Sequence, residues 1–236
     1  TQFKHKNVLI TGGAGGIGRL MGNIMAKKGA TIILWDINEE KLKAAAACIE
    51  GQGGKVLYNK CDVTNRELVY KTAQEVKMEC GNVDVLINNA GVVTGKPLWE
   101  CSDEEIQTTM DVNAMSMFWT VKAFLPDMIK ANSGHIVTIS SAAGIVGATR
   151  LTDYNASKFA AFGFDESLRM EFKKRKMNIK TTIVCPYFIN TGMFEGVKSK
   201  YPWLLPILDE EKVAKKIVRA IEYDKPRLIM PGIVYS

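Results

Sequence analysis

Long apolar runs are missing from these 236 residues. Nothing approaches the roughly 18 consecutive apolar residues of a membrane-spanning helix, which excludes a span inside this stretch. A secretory signal is not expected either, since only Val8-Leu9-Ile10 follows Lys4-His5-Lys6 before the first glycine turn. There are two histidines, His5 and His135, and five cysteines, Cys48, Cys61, Cys80, Cys101 and Cys185, with no Cys-x-x-Cys pair. That argues against a zinc site and a disulfide framework and suits a reducing compartment. Aromatics make up 8% and do not interleave with a basic stripe; the longest basic run, Lys173-Lys174-Arg175-Lys176, reads as a solvated helix end. Nucleic acid is therefore not an expected partner. No low-complexity tract or linker interrupts the chain, and an apolar fraction of 47% against 24% charged is ordinary for a globular protein. The net charge of +6 suits a phosphate-bearing ligand or an anionic surface.

Short β-branched runs alternate with helical patterns. Strands are expected at Asn7–Thr11, Thr31–Trp35, Lys55–Lys60, Val83–Asn88, His135–Ser140, Lys180–Cys185 and Arg227–Met230. Helices are expected at Ile17–Lys28, Glu39–Gly51, Arg66–Cys80, Asp103–Ile129, Tyr154–Lys173 and Glu210–Tyr223, with Thr64 and Ser102 as N-caps and Ser102/Glu105 at capping-box spacing. Repeated β-α-β order predicts one α/β domain over residues 1–236, a doubly wound parallel seven-stranded sheet of Rossmann type with helices on both faces. Ligands of such sheets bind beyond the carboxyl ends of the strands, so the residues there are the ones to search.

Strand one is followed by Thr11-Gly12-Gly13-Ala14-Gly15-Gly16-Ile17-Gly18, in which two glycine frames overlap. Gly12, Gly15, Gly16 and Gly18, with Ile17, open a helix whose N-terminus suits a pyrophosphate. Asp36 ends strand two, 18 positions beyond Gly18, where a carboxylate binds ribose hydroxyls and repels a 2′-phosphate. Neither Gly13–Gly15 nor Ile37 offers a basic group, so NAD is expected over NADP. Asp62-Val63 and Asn89-Ala90-Gly91 follow strands three and four as candidates to line an adenine pocket. Tyr154 and Lys158 share one helical face at i, i+4. An ammonium beside a phenol favours the phenolate, and the pair then makes a general acid/base. Ser141 closes strand five, where its hydroxyl can hold a substrate oxygen.

With Thr11–Gly18, Asp62, Asn88–Gly91, Asn113, Ser141, Tyr154, Lys158 and Thr191 in place, the chain resembles the short-chain dehydrogenase/reductase family from about Lys6 to Pro231. The resemblance implies that Tyr154 exchanges a proton with the substrate oxygen. It implies that Lys158 lowers the Tyr154 pKa and grips the nicotinamide ribose, that Ser141 orients the substrate, and that Asn113 fixes a relay water. Pro186–Thr191, including Ile189, would close over the nicotinamide, with Thr191 on its carboxamide. Tyr187 departs from the glycine common in the family and would narrow the pocket. Leu34–Asn38, Asn89–Lys96, Ser157–Phe164 and Ile179–Gly196 are similar to the epidermal retinol dehydrogenase and lipid-droplet 17β-hydroxysteroid dehydrogenase branch.

That branch implies NAD-dependent oxidation of a lipophilic alcohol, or reduction of the matching ketone, retinol-like or steroid-like. It also implies a homodimer or homotetramer through the helices at Asp103–Ile129 and Tyr154–Lys173. A cytoplasmic-face location on endoplasmic reticulum or lipid droplets would use flanking membrane segments. After Thr191, the apolar residues from Met193 and Phe194 to Trp203 and Leu208, broken by Pro202 and Pro206, are expected to form a substrate lid over 192–209. Tyr187, Met193, Phe194 and Trp203 join Ser141 and Tyr154 as expected substrate contacts. Two rival readings are a reductase of small carbonyls and an idle NAD-binding scaffold on membranes. The intact Ser141, Tyr154 and Lys158 argue against the second.

Overall fold

Seven parallel strands lie side by side in the order β3-β2-β1-β4-β5-β6-β7. The structure, a computed structural model, describes residues 1–187, 189 and 208–232. The strands are β1 (Asn7–Thr11), β2 (Thr31–Asp36), β3 (Lys55–Lys60), β4 (Val85–Asn88), β5 (Gly134–Ile139), β6 (Ile179–Pro186) and β7 (Arg227–Met230). The helices are α1 (Gly16–Lys27), α2 (Glu39–Glu50), α3 (Arg66–Cys80), α4 (Asp103–Met110), α5 (Ser116–Ala131), α6 (Thr152–Lys174) and α7 (Glu210–Glu222). This is the doubly wound sheet expected, and element ends differ from the expected ones by one or two residues.

Side-chain alternation along the strands builds two cores. On one face Val8, Ile10, Ile32, Leu34 and Ile87 pack against Met21 and Met25 of α1, Leu42 and Ile49 of α2, and Ile217 and Ile221 of α7. On the other, Leu9, Ile33, Trp35 and Leu86 meet Val69 and Val76 of α3, Phe124 and Met128 of α5, and Phe172 of α6. Strand order reverses between β1 and β4, so their carboxyl ends part there and leave the crevice where ligands of such sheets bind.

Two local expectations are corrected. Asn65, not Thr64, caps α3: its side chain accepts from Leu68 N at 3.0 Å. Thr64 is instead held by Asp62, whose Oδ1 accepts from Thr64 N and Oγ1 at 2.9 and 2.7 Å. The helix expected at Asp103–Ile129 runs on to Ala131 and contains a π-helical turn at Asp111–Met115 between α4 and α5. Such single π turns are frequent at functional sites. The Ser102/Glu105 capping box forms in full. All five cysteines are free.

Candidate active site

The first wall of the crevice is backbone. Gly12 and Gly16 have φ of +60° and +51°, in the region where glycine escapes the Cβ penalty. A Cβ on Gly18 would stand 2.5 Å from Gly12 O and 2.7 Å from Asn89 Nδ2, so the turn and the helix can close together only over a hydrogen. Asn89 ties this turn to β4. Its Nδ2 donates to Thr11 O and Gly12 O at 3.0 Å each. Thr11 Oγ1 in return accepts from the amides of Asn89 and Ala90 at 3.0 and 3.1 Å. Gly15 and Gly16 are different: a Cβ there would meet nothing within 4 Å.

These two glycines front a cavity of about 560 Å³ that also reaches Gly12 and Ile17. Asp36, Ile37, Asn38 and Lys41 line it at the β2–α2 junction, and Asn89, Ala90 and Gly91 line it after β4. Ile139, Ser140 and Ser141 follow from β5, Tyr154 and Lys158 from α6, and Pro186, Tyr187 and Ile189 from beyond β6. Asp36 is fastened on both oxygens: Oδ2 accepts from Ala14 N at 3.2 Å and Oδ1 from Asn38 N at 3.0 Å.

The second wall is made of side chains. Tyr154 and Lys158 are each 4% exposed, so solvation of any charge there falls to the protein. Lys158 Nζ donates to Ile139 O at 3.1 Å and lies 5.5 Å from the centre of the Tyr154 ring. Burial pushes the Tyr154 hydroxyl up to about 12, partly offset by its hydrogen bond with Ser141. Burial also pushes Lys158 down to about 8, against the opposing pull of Cys185. Removal from water drives both groups toward neutrality. Ser141 Oγ accepts from Ala143 N at 3.1 Å and donates to Pro186 O at 3.5 Å, within hydrogen-bonding reach of Tyr154.

Asn113 lies within the π turn and is 2% exposed. Its Oδ1 accepts from Val92 N at 2.8 Å, and its Nδ2 donates to Val92 O at 2.9 Å and Ser157 Oγ at 3.0 Å. The amide thus clasps the strand-four loop to α6. The bracing reaches the site, because a Cβ on Gly91 would lie 3.5 Å from both Asn113 Oδ1 and Lys158 Nζ.

Asp62 and Val63 are not brought to the cavity wall: Asp62 is exposed and turned toward Thr64, and Val63 is buried in the core beneath α3. Gly18 acts from behind the turn. Thr191, Met193, Phe194 and Trp203, with most of the expected lid, lie outside the described residues. The segment's ends are defined, since Ile189 pairs with Leu208 in an isolated parallel bridge.

Two residues escaped the sequence reading. Lys41 lines the cavity from the first turn of α2, and an exposed lysine carries no signal by itself. Asp153, 4% exposed, accepts from Thr94 Oγ1 at 2.7 Å and Thr109 Oγ1 at 2.9 Å. It binds the strand-four loop and α4 to the turn of α6 that carries Tyr154. Its place beside Tyr154 was the available signal.

Comparison with known proteins agrees with this geometry. A family model described as short chain dehydrogenase matches residues 6–202. The chain is 54% identical over 226 residues to short-chain dehydrogenase/reductase family 16C member 6 of Bos taurus, covering 95% of this chain and 72% of that protein. It is 49% identical over 230 residues to epidermal retinol dehydrogenase 2 of Homo sapiens, covering 97% and 74%. Among solved structures, a short chain dehydrogenase/reductase from Burkholderia phymatum in complex with NAD superposes with a TM-score of 0.91 at 26% identity, covering 100% and 92%.

Proposed function

Since this chain belongs to the short-chain dehydrogenase family, and so is a nicotinamide-dependent oxidoreductase, we propose that it interconverts a lipophilic alcohol and its carbonyl with NAD. The observation that carries this is the meeting of Ser141, Tyr154 and Lys158 in the cavity that the glycine turn opens. The cavity suits the dinucleotide on a structural test: Gly15 and Gly16 leave a cradle that any Cβ would fill, at the N-terminus of α1. Gly12, Gly15, Gly16 and Ile17 would hold its diphosphate and Asp36 its adenosine ribose. Lys158, Pro186 and Ile189, with Thr191, would hold the nicotinamide end. When bound, NAD supplies the hydride acceptor.

Tyr154 takes the proton of the substrate hydroxyl on oxidation and returns it on reduction. A phenol displaced upward by burial holds its proton firmly, which favours it as the acid and makes a nearby positive charge necessary for it to act as the base. Lys158 provides that charge in its ammonium form. Ser141 Oγ, anchored on Ala143 N, fixes the substrate oxygen against Tyr154 and limits the poses in which proton transfer can occur. Asn113 and Asp153 both tie the strand-four loop to the first turns of α6, beside Tyr154 and Lys158.

The substrate reading draws on the relative named a retinol dehydrogenase and on the apolar surface beside Tyr154, where Val93, Ala143 and Leu151 cluster. Within the same proposal, residues 1–236 form one domain and 192–209 cover the substrate; the Ile189–Leu208 pairing at the cavity edge supports it. A second copy packs on α5 and α6, where Phe118, 43% exposed, meets Phe164 at 4.7 Å. Among the described residues no helix is long and apolar enough to cross a membrane. Attachment to the cytoplasmic face of endoplasmic reticulum or lipid droplets would rest on flanking segments. The test is NADH formation with alcohols of rising chain length. Rates that climb steeply, by up to about 0.8 kcal/mol of binding per added methylene, support the reading, and a flat series ends the case for a retinoid or steroid.

A further inference from the structure

Asp36 alone would make the β2–α2 junction hostile to a second ribose phosphate, yet the same corner of the cavity contains a cation. Lys41 lines the cavity beside Asp36, Ile37 and Asn38. Its backbone is fixed by the α2 cap, with Lys41 N donating to Asn38 Oδ1 at 2.9 Å. The neighbouring acids do not claim its ammonium. Glu39 and Glu40 both pair with Lys43, at 3.1 and 3.5 Å, and Lys41 has no ion-pair partner among the described residues. Lys60 stands opposite Asp36 in the β2–β3 register and adds positive potential without lining the cavity. Asp36 is held in place by Ala14 N and Asn38 N, so it cannot swing away from, or toward, an incoming phosphate.

We propose that Lys41 is a second, opposing determinant of nucleotide choice. Its ammonium receives a phosphate monoester on the adenosine ribose, so that a site tuned by Asp36 for NAD still binds NADP. An ammonium on a four-carbon stem reaches a phosphate as a mobile point charge, and the N-terminus of α2 itself favours an anion there. Selectivity then arises from the difference between a fixed carboxylate and a mobile cation. The inference rests on the dinucleotide reading of the cavity.

The test is equilibrium binding of NADH and NADPH, followed by nicotinamide fluorescence without substrate, in the parent, Lys41→Ala, Lys41→Arg, Asp36→Ala and the Asp36→Ala/Lys41→Ala double variant. Lys41→Ala is expected to weaken NADPH about tenfold, the scale of one exposed charge-assisted contact, and NADH less than about twofold. Lys41→Arg should keep NADPH near the parent value. Asp36→Ala should tighten NADPH, and the double variant should lose most of that gain. Equal weakening of both nucleotides would place Lys41 on their shared part and overturn the inference, as would NADPH affinity that ignores Lys41→Ala. In both cases NADH still binds the parent and the dinucleotide site stands. A parent that binds neither nucleotide brings down both readings.

Discussion

Around the ends of β1 and β2 the cavity wall is backbone, half-exposed and held by amide hydrogen bonds: Asn89 on Thr11 and Gly12, and Ala14 on Asp36. Around β5 and α6 it is side chain, with Tyr154 and Lys158 almost wholly buried and both displaced toward neutrality. The first region can recognise a charged ligand without removing any charge of its own from water. The second gives up solvation, so that the proton affinity of each group is set by burial and responds strongly to any charge placed beside it. In the function proposed, nucleotide binding at the glycine turn and proton transfer at Tyr154 thus depend on different physical terms.

The contrast is broken most severely at Tyr154. Tyr154→Phe removes one hydroxyl, and turnover should fall about 10²–10⁴-fold while NADH still binds. Stopped-flow rates alongside a fluorescence titration check both halves, and turnover within a few-fold of the parent would remove Tyr154 from the chemistry.

The next effect concerns stability on the buried side. Asp165 of α6 is fully buried, and neither carboxylate oxygen makes a well-formed hydrogen bond. Burial pushes it up to about 7, although Arg169, Thr138 and Thr181 pull the other way. A carboxyl raised above its unfolded value stabilises fully only below the unfolded pKa. That contribution is lost as pH rises from about 4 to about 7. Asp165→Asn should therefore gain on the order of a few kcal/mol over the parent at about pH 8 and almost nothing at about pH 4. Denaturation midpoints at the two pH values decide it, and a gain independent of pH would show that the acid's ionisation is not the cause.

On the backbone side, Gly15→Ala meets no atom within 4 Å, and Gly15 has an extended φ of −143°. Stability should stay within about 0.5 kcal/mol while NADH affinity falls at least about tenfold, since the methyl fills the cradle. Unchanged affinity would move the diphosphate elsewhere. The smallest effect is expected at the seam between the regions. Asp153→Asn keeps an acceptor for Thr94 and Thr109 but weakens both bonds, for a loss of about 1 kcal/mol in stability and a rise in KM larger than the fall in kcat. A fall confined to kcat would instead give Asp153 a direct part in the chemistry.

How much of this was legible in the sequence differs between the same two regions. The glycine turn, Asp36 and the Tyr154/Lys158 pair could be read because strand ends and helical spacing place them without any knowledge of packing. Asp62 is ambiguous in the sequence because an acid after a strand serves an Asx turn as readily as a ligand, and only the fold shows its Oδ1 on Thr64. Asn113 was found, but its partner Val92 lies 21 positions back and is reached through a π turn that no apolar period announces. The direction of the Tyr154 and Lys158 shifts follows from burial, which depends on what every neighbouring element contributes. Asp165 runs against pattern altogether, an acid on the inward face of a helix.

The pairing of Ile189 with Leu208 has a consequence for how such a protein diversifies. It closes the chain across its own base, so β6 and α7 are joined by a contact as well as by the intervening residues. For a loop anchored at both ends, each doubling in length costs only about 0.6 kcal/mol in closure entropy. A change in the number of residues between Ile189 and Leu208 should therefore cost the sheet little. On the proposal that residues 192–209 cover the substrate, a graft of that segment from a relative should carry its chain-length preference with it.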